Sequence, residues 1–599
     1  MMGWNVWALS GIAMIAVVTF SVGVWGSRAA HTTSDFLVAR RLVREERNAA
    51  AISGEYLSAA SFLGIAGLVL KDGVDALWYP IGFASGYLAL MLFVAAPLRR
   101  SGAYTLPDFA EARLNSLPLR WLATLLVVVI GWLYLVPQLQ GAGLTLSTIT
   151  GLPYATGVIG VAVIVLASVL SGGMRAVTLV QAFQYWVKLF AISVPAFVLF
   201  LVFLTGNGQL RNEMDTPAPP KFEHDTTVRI DTDVQLRVAA PMWLQVSGSS
   251  GKGVFGNGSV YVRPGEYPVS AGTQLRFPAG APTPVVSDAE PDNASWIRPQ
   301  QHGIRGLFQT YSLILATFLG TMGLPHVLVR FYTNPSGPGA RRTAMFVLGL
   351  LGTFYLFPTI FGLLSRLYVP QLLVTGKTDA AVLLLPGAML GNWVGGLLGA
   401  ITAAGAFAAF LSTSSGLVVT VAGVLSTDVL RGRVSAFRSV SLAAAAVPTA
   451  LALSETQPDI SQSVALAFAM AASTFCPLLV LGIWWRGLTA VGAISGLVTG
   501  ASLVLVAVGL GAVTGNSGDW WSVIVHQPAV ITVPCAFLVT YVVSRATSGR
   551  VPDDVSRVML RMHAPDRLGF VEDRMIKRFG ILGSKRLTRA SATEGRHHR

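Results

Sequence analysis

Three polar clusters interrupt long apolar runs, and each has residue types that can do chemistry. Ser53-Gly54-Glu55, with Ser58 and Ser61 just after it, breaks a run that otherwise reads as one membrane helix. Gly320-Thr321-Met322-Gly323-Leu324-Pro325-His326 breaks another with glycine and proline. Phe410-Leu411-Ser412-Thr413-Ser414-Ser415-Gly416 places adjacent hydroxyls deep in a third. A hard cation such as sodium is held by oxygens, and carbonyls freed at a helix break together with two hydroxyls supply them. The competing reading is that these hydroxyls bond back to their own helix or pack against neighbours. Glu55 is an acidic residue near the middle of a span, where an ionisable group is a functional candidate. It can tune a cation site, carry a proton, or turn into a water-filled vestibule and bond to the break. Gln140, in the polar stretch Gln138 to Gly143, is either a solute contact or a helix contact.

These clusters need elements that hold them inside a bilayer, and the composition supplies such elements. Of 599 residues 53% are hydrophobic and only 12% charged, about half the charged share of a soluble domain. Apolar runs near 5–26, 48–70, 77–98, 119–148, 155–172, 177–205, 306–329, 342–367, 387–427, 437–453, 462–485, 489–512 and 527–545 predict an all-α integral membrane protein with about 13 transmembrane helices. The net charge of +14 sits mostly in short loops and the tail, which favours a lipid bilayer over nucleic acid as partner. Arg28, Arg40, Arg41, Arg44 and Arg47, then Arg99, Arg100, Arg113 and Arg120, then Arg175, Arg330, Arg341, Arg342, Arg431 and Arg433, and the tail's Arg574, Lys577, Arg578, Lys585 and Arg586, all fall on one side. The positive-inside rule makes that side cytoplasmic and puts the N-terminus outside. The first run, Val6 to Trp25, lacks a basic stretch before it and a cleavage site after it, so it reads as a retained span. Cys476 and Cys535 lie inside apolar runs and read as buried packing thiols.

The expected division is a flanking helix and cytoplasmic loop at 1–47, two inverted five-helix repeats with broken first helices at 48–205 and 304–486, flanking helices at 487–545, and a basic cytoplasmic tail at 546–599. Residues 206–303 form a small β-rich external insert. Within it Val228, Ile230, Val234, Leu236 and Val238 alternate with polar residues as one half-buried strand, and the favoured reading is a solvated decoration; Asn293 to Ser295 is a glycosylation pattern. In the tail Val555, Val558, Met559 and Met562 have the spacing of a membrane-surface helix. No glycine loop for phosphate is present, which disfavours an ATP-driven pump.

Five stretches resemble the solute:sodium symporter family, and within it the acetate permease branch. They are Ser53 to Gly67 (SGEYLSAASFLGIAG), Gly172 to Lys188 (GGMRAVTLVQAFQYWVK), Gly320 to Phe331 (GTMGLPHVLVRF), Ser412 to Asp428 (STSSGLVVTVAGVLSTD) and Ala465 to Gly496. The resemblance implies a core of two inverted repeats, alternating access, and a sodium site made by the carbonyls of Gly54, Leu57 and Ala409 and the hydroxyls of Ser412 and Thr413. Sugar-transporting relatives have an aspartate at the position of Gln181 and a glutamine at that of Ser61, so the polar groups that a sugar needs are missing.

The function that follows is a secondary active symporter, not an enzyme, that takes up a small monocarboxylate, acetate or similar, with Na+ as coupling ion, H+ being the alternative, and no cofactor, in the plasma membrane. A carboxylate can be held by free N–H groups at the start of a half-helix. The turn at Gly323, ahead of Pro325 and His326, offers such a start, and Ser58, Ser61 and Gln140 can donate further bonds. Arg330, Asp428 and Lys188 read as end-of-helix residues that snorkel or pair. An ion channel, a sensor built on a transporter fold, and an H+-coupled carrier of another solute remain as alternatives.

Overall fold

The computed structural model describes residues 6–27, 43–206, 216–248, 257–299, 303–429, 434–454, 460–514, 520–570 and 574. Arg28, Arg40, Arg41, Arg431, Arg433 and the basic residues 577–586 lie outside that set, as do parts of the insert. In chain order the main helices are α1 (Val6–Ser27), α2 (Glu45–Tyr56), α3 (Ile65–Asp72), α4 (Trp78–Phe93), α5 (Leu117–Thr150) and α6 (Tyr154–Thr205). After the insert come α7 (Gly303–Gly323), α8 (Pro325–Phe331), α9 (Gly337–Tyr368), α10 (Ala381–Leu390), α11 (Trp393–Asp428), α12 (Val434–Ala452), α13 (Ile460–Ser473), α14 (Phe475–Trp484), α15 (Ala490–Thr514), α16 (Ala529–Ala546) and α17 (Val555–His563).

Among the described residues eight helices are long and apolar enough to cross a membrane, nine when α7 and α8, bent by 42° at Leu324, count as one span. Thirteen were expected. The runs at 5–26, 155–172 and 437–453 give shorter apolar helices, and 48–70 is interrupted, with Leu57 and Ser58 outside any helix. The expected spans 155–172 and 177–205 run on as a single helical element, α6. The expected segment 387–427 is instead divided, because left-handed Gly391 ends α10 and the Asn392 side chain accepts the N–H of Val394 and Gly395 to start α11. α11 is the central element and packs against α6, α5, α1, α10 and α12.

The insert carries seven short strands: β1 (Thr226–Arg229), β2 (Val234–Val238), β3 (Met242–Ser247), β4 (Gly258–Val262), β5 (Gly265–Val269), β6 (Gln274–Phe277) and β7 (Val285–Val286). They form antiparallel sheets in the orders β1-β6-β3-β4 and β5-β2-β7. The run from Val228 to Val238 is therefore two strands in two sheets. The chain turns between them at Asp231 to Asp233, where the Asp233 carboxylate accepts the Ala271 N–H (2.7 Å).

This unit is anchored to the helices by specific contacts. Trp296 is buried and donates to Val69 O of α3 (2.7 Å), while the Arg366 guanidinium of α9 lies 5.3 Å from its ring and donates to Asn293 Oδ1 and Glu290 O. Asn293 is thus buried and engaged at its side chain, which removes the sequon from consideration. Lys71 pairs with Asp288, and Lys377 with Asp231 at 2.6 Å. Gly73, with φ +65°, lets the chain pass so close that an added Cβ would lie 1.7 Å from Trp296 O. The tail helix α17 also departs from expectation. Val558, Met559 and Met562 are buried, and the helix packs on the Ala95–Arg100 segment of the protein itself. Cys476 is buried, and Cys535 only partly so.

Trp296→Ala removes both the buried indole and its hydrogen bond, so a loss of about 3–5 kcal/mol is expected. Limited proteolysis in lipid nanodiscs should show faster cleavage within 206–303 for this variant; equal rates would show that the indole does not hold the insert.

Candidate functional site

The site is organised by the gap between α2 and α3. α2 stops at Tyr56, with the Leu57 N–H closing on Ser53 O (3.0 Å), and a π-helical turn over Ala60–Gly64 restarts the chain into α3. Gln138 of α5 accepts the Ala59 N–H at its Oε1 (2.8 Å), so the polar stretch Gln138 to Gly143 supplies a partner for the interrupted backbone. Gly54 is what allows α6 to lie against the gap: a Cβ there would sit 2.2 Å from Gln181 O. Two turns further along α6, that contact delivers Lys188.

The expected cation-binding atoms are brought together, and the Lys188 ammonium sits among them. Its Nζ donates to Gly54 O, to Leu57 O (2.8 Å) and to Ser412 Oγ (2.8 Å). Ser412 Oγ itself contacts Gly54 O (2.7 Å) and Ala409 O (3.0 Å). Thr413 Oγ1 turns to the neighbouring carbonyl and donates to Glu55 O (2.6 Å). Lys188 is fully buried, so its expected place at a helix end, reaching for the interface, is corrected. An ammonium with three donors is satisfied by three of these oxygens, so in this arrangement Gly54 O, Leu57 O and Ser412 Oγ are engaged and do not fit a sodium ion.

Arg330, in the last turn of α8, pairs as the sequence reading allowed. It also is buried, and its Nε donates to Glu55 Oε2 at 2.6 Å. Its other nitrogens reach Thr178 Oγ1 (2.6 Å) and Gln181 Oε1. Gln181 Nε2 in turn donates to Ser412 O (2.7 Å). Glu55 therefore faces neither lipid nor a vestibule; it pairs with α8 across the interior, while its Oε1 accepts no hydrogen bond from any described residue. Asp428 pairs with Arg120, as the sequence reading allowed.

Of the expected solute contacts, Ser58 and His326 meet around Tyr134. Tyr134 donates to Ser58 Oγ (3.3 Å), and its ring centroid lies 5.0 Å from that of His326. His326 is buried, and neither ring nitrogen has a hydrogen-bond partner among the described residues. Ser61 Oγ shares a hydrogen bond with Tyr355 OH (3.1 Å). Gln140 lies elsewhere: with Lys71, Asp379, Ile460 and the insert residues Val286 and Asp288 it lines a cavity of about 270 Å³ beneath the insert. Gly323 is the last residue of α7, and the turn that follows it at Leu324 opens α8 at Pro325, the half-helix start that the sequence suggested. Its small size serves packing, because a Cβ there would lie 2.4 Å from Ala471 O.

Sequence reasoning missed the aromatic wall. Tyr56, Phe83, Tyr87, Tyr134, Tyr355 and Phe468 form a connected set of ring contacts between the two breaks. Tyr56 OH bonds to Thr321 Oγ1 (2.9 Å), while Tyr87 OH is buried without a partner among the described residues. Only the position of Tyr56, one residue before the gap, hinted at this role. A cluster of aromatic rings and hydroxyls beside an imidazole without a partner among the described residues has the chemistry to meet a small solute with a short apolar part and one polar end.

Comparison with known proteins places the chain in a family. The chain is 28% identical over 558 residues to "Uncharacterized symporter YwcA" of Bacillus subtilis, covering 90% of this chain and 94% of that one. It is 27% identical over 562 residues to "Monocarboxylic acid transporter" of Corynebacterium glutamicum, covering 89% and 90%. A Na+-coupled sialic acid symporter solved in a substrate-bound outward-open state shares the fold, with TM-score 0.60 at 13% identity over 91% of this chain and 98% of that one. The sequence model of the sodium:solute symporter family matches residues 36–249 and 283–500, which leaves out 250–282 within the insert. The chain, a multi-pass membrane symporter by these matches and its apolar helices, belongs to the sodium:solute symporter family.

Proposed function

We propose that this symporter takes up a small monocarboxylate, acetate or a close homologue, by alternating access coupled to the inward movement of a cation. The observation that carries the reading is the pair of facing breaks, with the ring nitrogens of His326 and the Tyr87 hydroxyl buried beside the aromatic cluster and without hydrogen-bond partners among the described residues. Buried polar atoms without partners are costly, and a carboxylate entering between the breaks can accept from both. The relative named for monocarboxylic acid transport supports the solute class. In this reading 48–205 and 304–486 are the two inverted repeats that rock about the breaks, the insert is extracytoplasmic, the tail is cytoplasmic, and the membrane is the plasma membrane.

The Glu55–Arg330 pair ties the first broken helix to the second. A transport cycle that opens the enclosure on either side has to keep both charges satisfied, because an uncompensated charge at that depth is expensive. The pair is therefore expected to move as one body. Removing one partner alone, as in Glu55→Gln or Arg330→Gln, should cost about 3–5 kcal/mol, since it leaves the other buried and unpaired. The double variant should lose less than the sum of the two, as read by thermal unfolding of the purified protein; additive losses would show that the two side chains act independently.

The solute class is tested by uptake of labelled acetate into proteoliposomes. Unlabelled acetate, propionate and pyruvate are expected to compete, and neutral sugars are not. His326→Ala should raise the acetate KM by about tenfold, the worth of one charge-assisted bond at roughly 1.4 kcal/mol. Sugar transport with no acetate uptake would sink the assignment.

A further inference from the structure

A sodium site between two broken elements needs oxygen lone pairs turned inward and a place for one small cation. The oxygens around Gly54 and Ser412 meet the first requirement, but the second is already filled. Lys188 Nζ uses its three donors on Gly54 O, Leu57 O and Ser412 Oγ. This placement is built in. Gly54 lets α6 touch α2 at backbone distance, Gln181 fixes α6 to the Ser412 carbonyl, and the ammonium follows two turns later. Fully buried, the side chain is enclosed by α2, α6 and α11 and cannot simply swing out to water.

Charge counting points the same way. The charged groups facing this interior are Lys188 and Arg330 against the single carboxylate of Glu55. A sodium ion would add a third positive charge, whereas a solute carboxylate would bring the cluster to balance. The sequence explains why the substitution stays hidden: Ser412, Thr413 and the gap at Gly54 keep the look of a metal cage, and the difference lies on another helix.

We propose that Lys188 is the resident cation of this site, a tethered ammonium in the position where a sodium-dependent transporter would bind Na+, so that this chain neither binds Na+ between α2 and α11 nor needs it there for solute exchange. The inference extends the symport reading to its coupling ion, and only its transport arm rests on the solute being a monocarboxylate.

Two measurements on the full chain test it, each in NaCl and in choline chloride at equal ionic strength and fixed pH. The first is thermal unfolding of the purified protein; the second is counterflow of labelled acetate in proteoliposomes. For the unsubstituted chain both are expected to be the same in the two salts. Lys188→Ala leaves the oxygens without a cation, so its counterflow should fall by about tenfold or more in choline and recover with Na+. Its unfolding midpoint should rise with Na+ specifically, and that rise should vanish when Ser412→Ala is added. A folded Lys188→Ala protein indifferent to Na+ would overturn the proposal. So would Na+-specific stabilisation of the unsubstituted chain that Ser412→Ala abolishes, a result that decides the matter even if Lys188→Ala fails to fold. Stabilisation by Na+ that survives Ser412→Ala lies elsewhere and agrees with the proposal. Absence of acetate counterflow in either salt would count against the monocarboxylate reading, and the unfolding arm would then decide this one alone.

Discussion

Unpaired backbone at bilayer depth is the constraint on which the rest of the structure depends. Between Tyr56 and Ala60 the helix is interrupted where no bulk water can serve its peptide groups. Four of the freed groups find partners on other elements. Gly54 O and Leu57 O receive the Lys188 ammonium, Glu55 O receives the Thr413 hydroxyl, and the Ala59 N–H goes to Gln138 Oε1. Three helices are thereby committed to one short gap. A break of this kind is tolerable only when it is enclosed, which is why the residues around it are almost all buried.

The same gap organises the charges. Lys188 enters because the break exposes carbonyls, and Gln181, on the same helix, connects Ser412 to Arg330. Arg330 then closes on Glu55, one residue from the start of the path. The result is a continuous polar chain through α2, α6, α8 and α11 inside an apolar protein. Buried charges are weak evidence for stability, since desolvation offsets much of their attraction. Their value here is registry: the chain can be satisfied in only a few relative positions of these helices, and a carrier needs discrete positions.

Much of this could be read from the sequence, and the failures share a cause. Apolar length marked nine of the spans, and glycine with hydroxyl spacing marked the gap and the cluster at Ser412, because those signals are local. Lys188 and Arg330 carried no such signal. Both lie near stretches where a charged residue normally marks a helix end, and only the approach of Gln181 O to Gly54 turns α6 so that Lys188 points inward. The helix start after Gly323 was legible for the same local reason, but the neighbour Ala471, which makes Gly323 a close-packing position, was not. The alternating run in the insert looked like one strand because alternation is blind to the turn at Asp231–Asp233. The aromatic wall went unseen because Phe83, Tyr134, Tyr355 and Phe468 are far apart in sequence and ordinary in composition.

The insert belongs to the same mechanical unit as the gap. From the break the chain runs through the π-turn and α3 to Lys71, Asp72 and Gly73, a rod of roughly 20 Å at the helical rise per residue. At its far end Lys71 pairs with Asp288, Val69 O accepts from Trp296, and Gly73 leaves room for the Trp296 carbonyl. α9 grips the same tryptophan through Arg366, and Tyr355 of that helix reaches back to Ser61 in the π-turn. A rod held at both ends transmits tilt: if α3 pivots at the gap, the insert and the cavity it roofs over Gln140 must move with it. The solvated β-sheets are therefore coupled to the buried enclosure through helix backbone and two aromatic contacts, a connection that requires no direct contact between the insert and the solute.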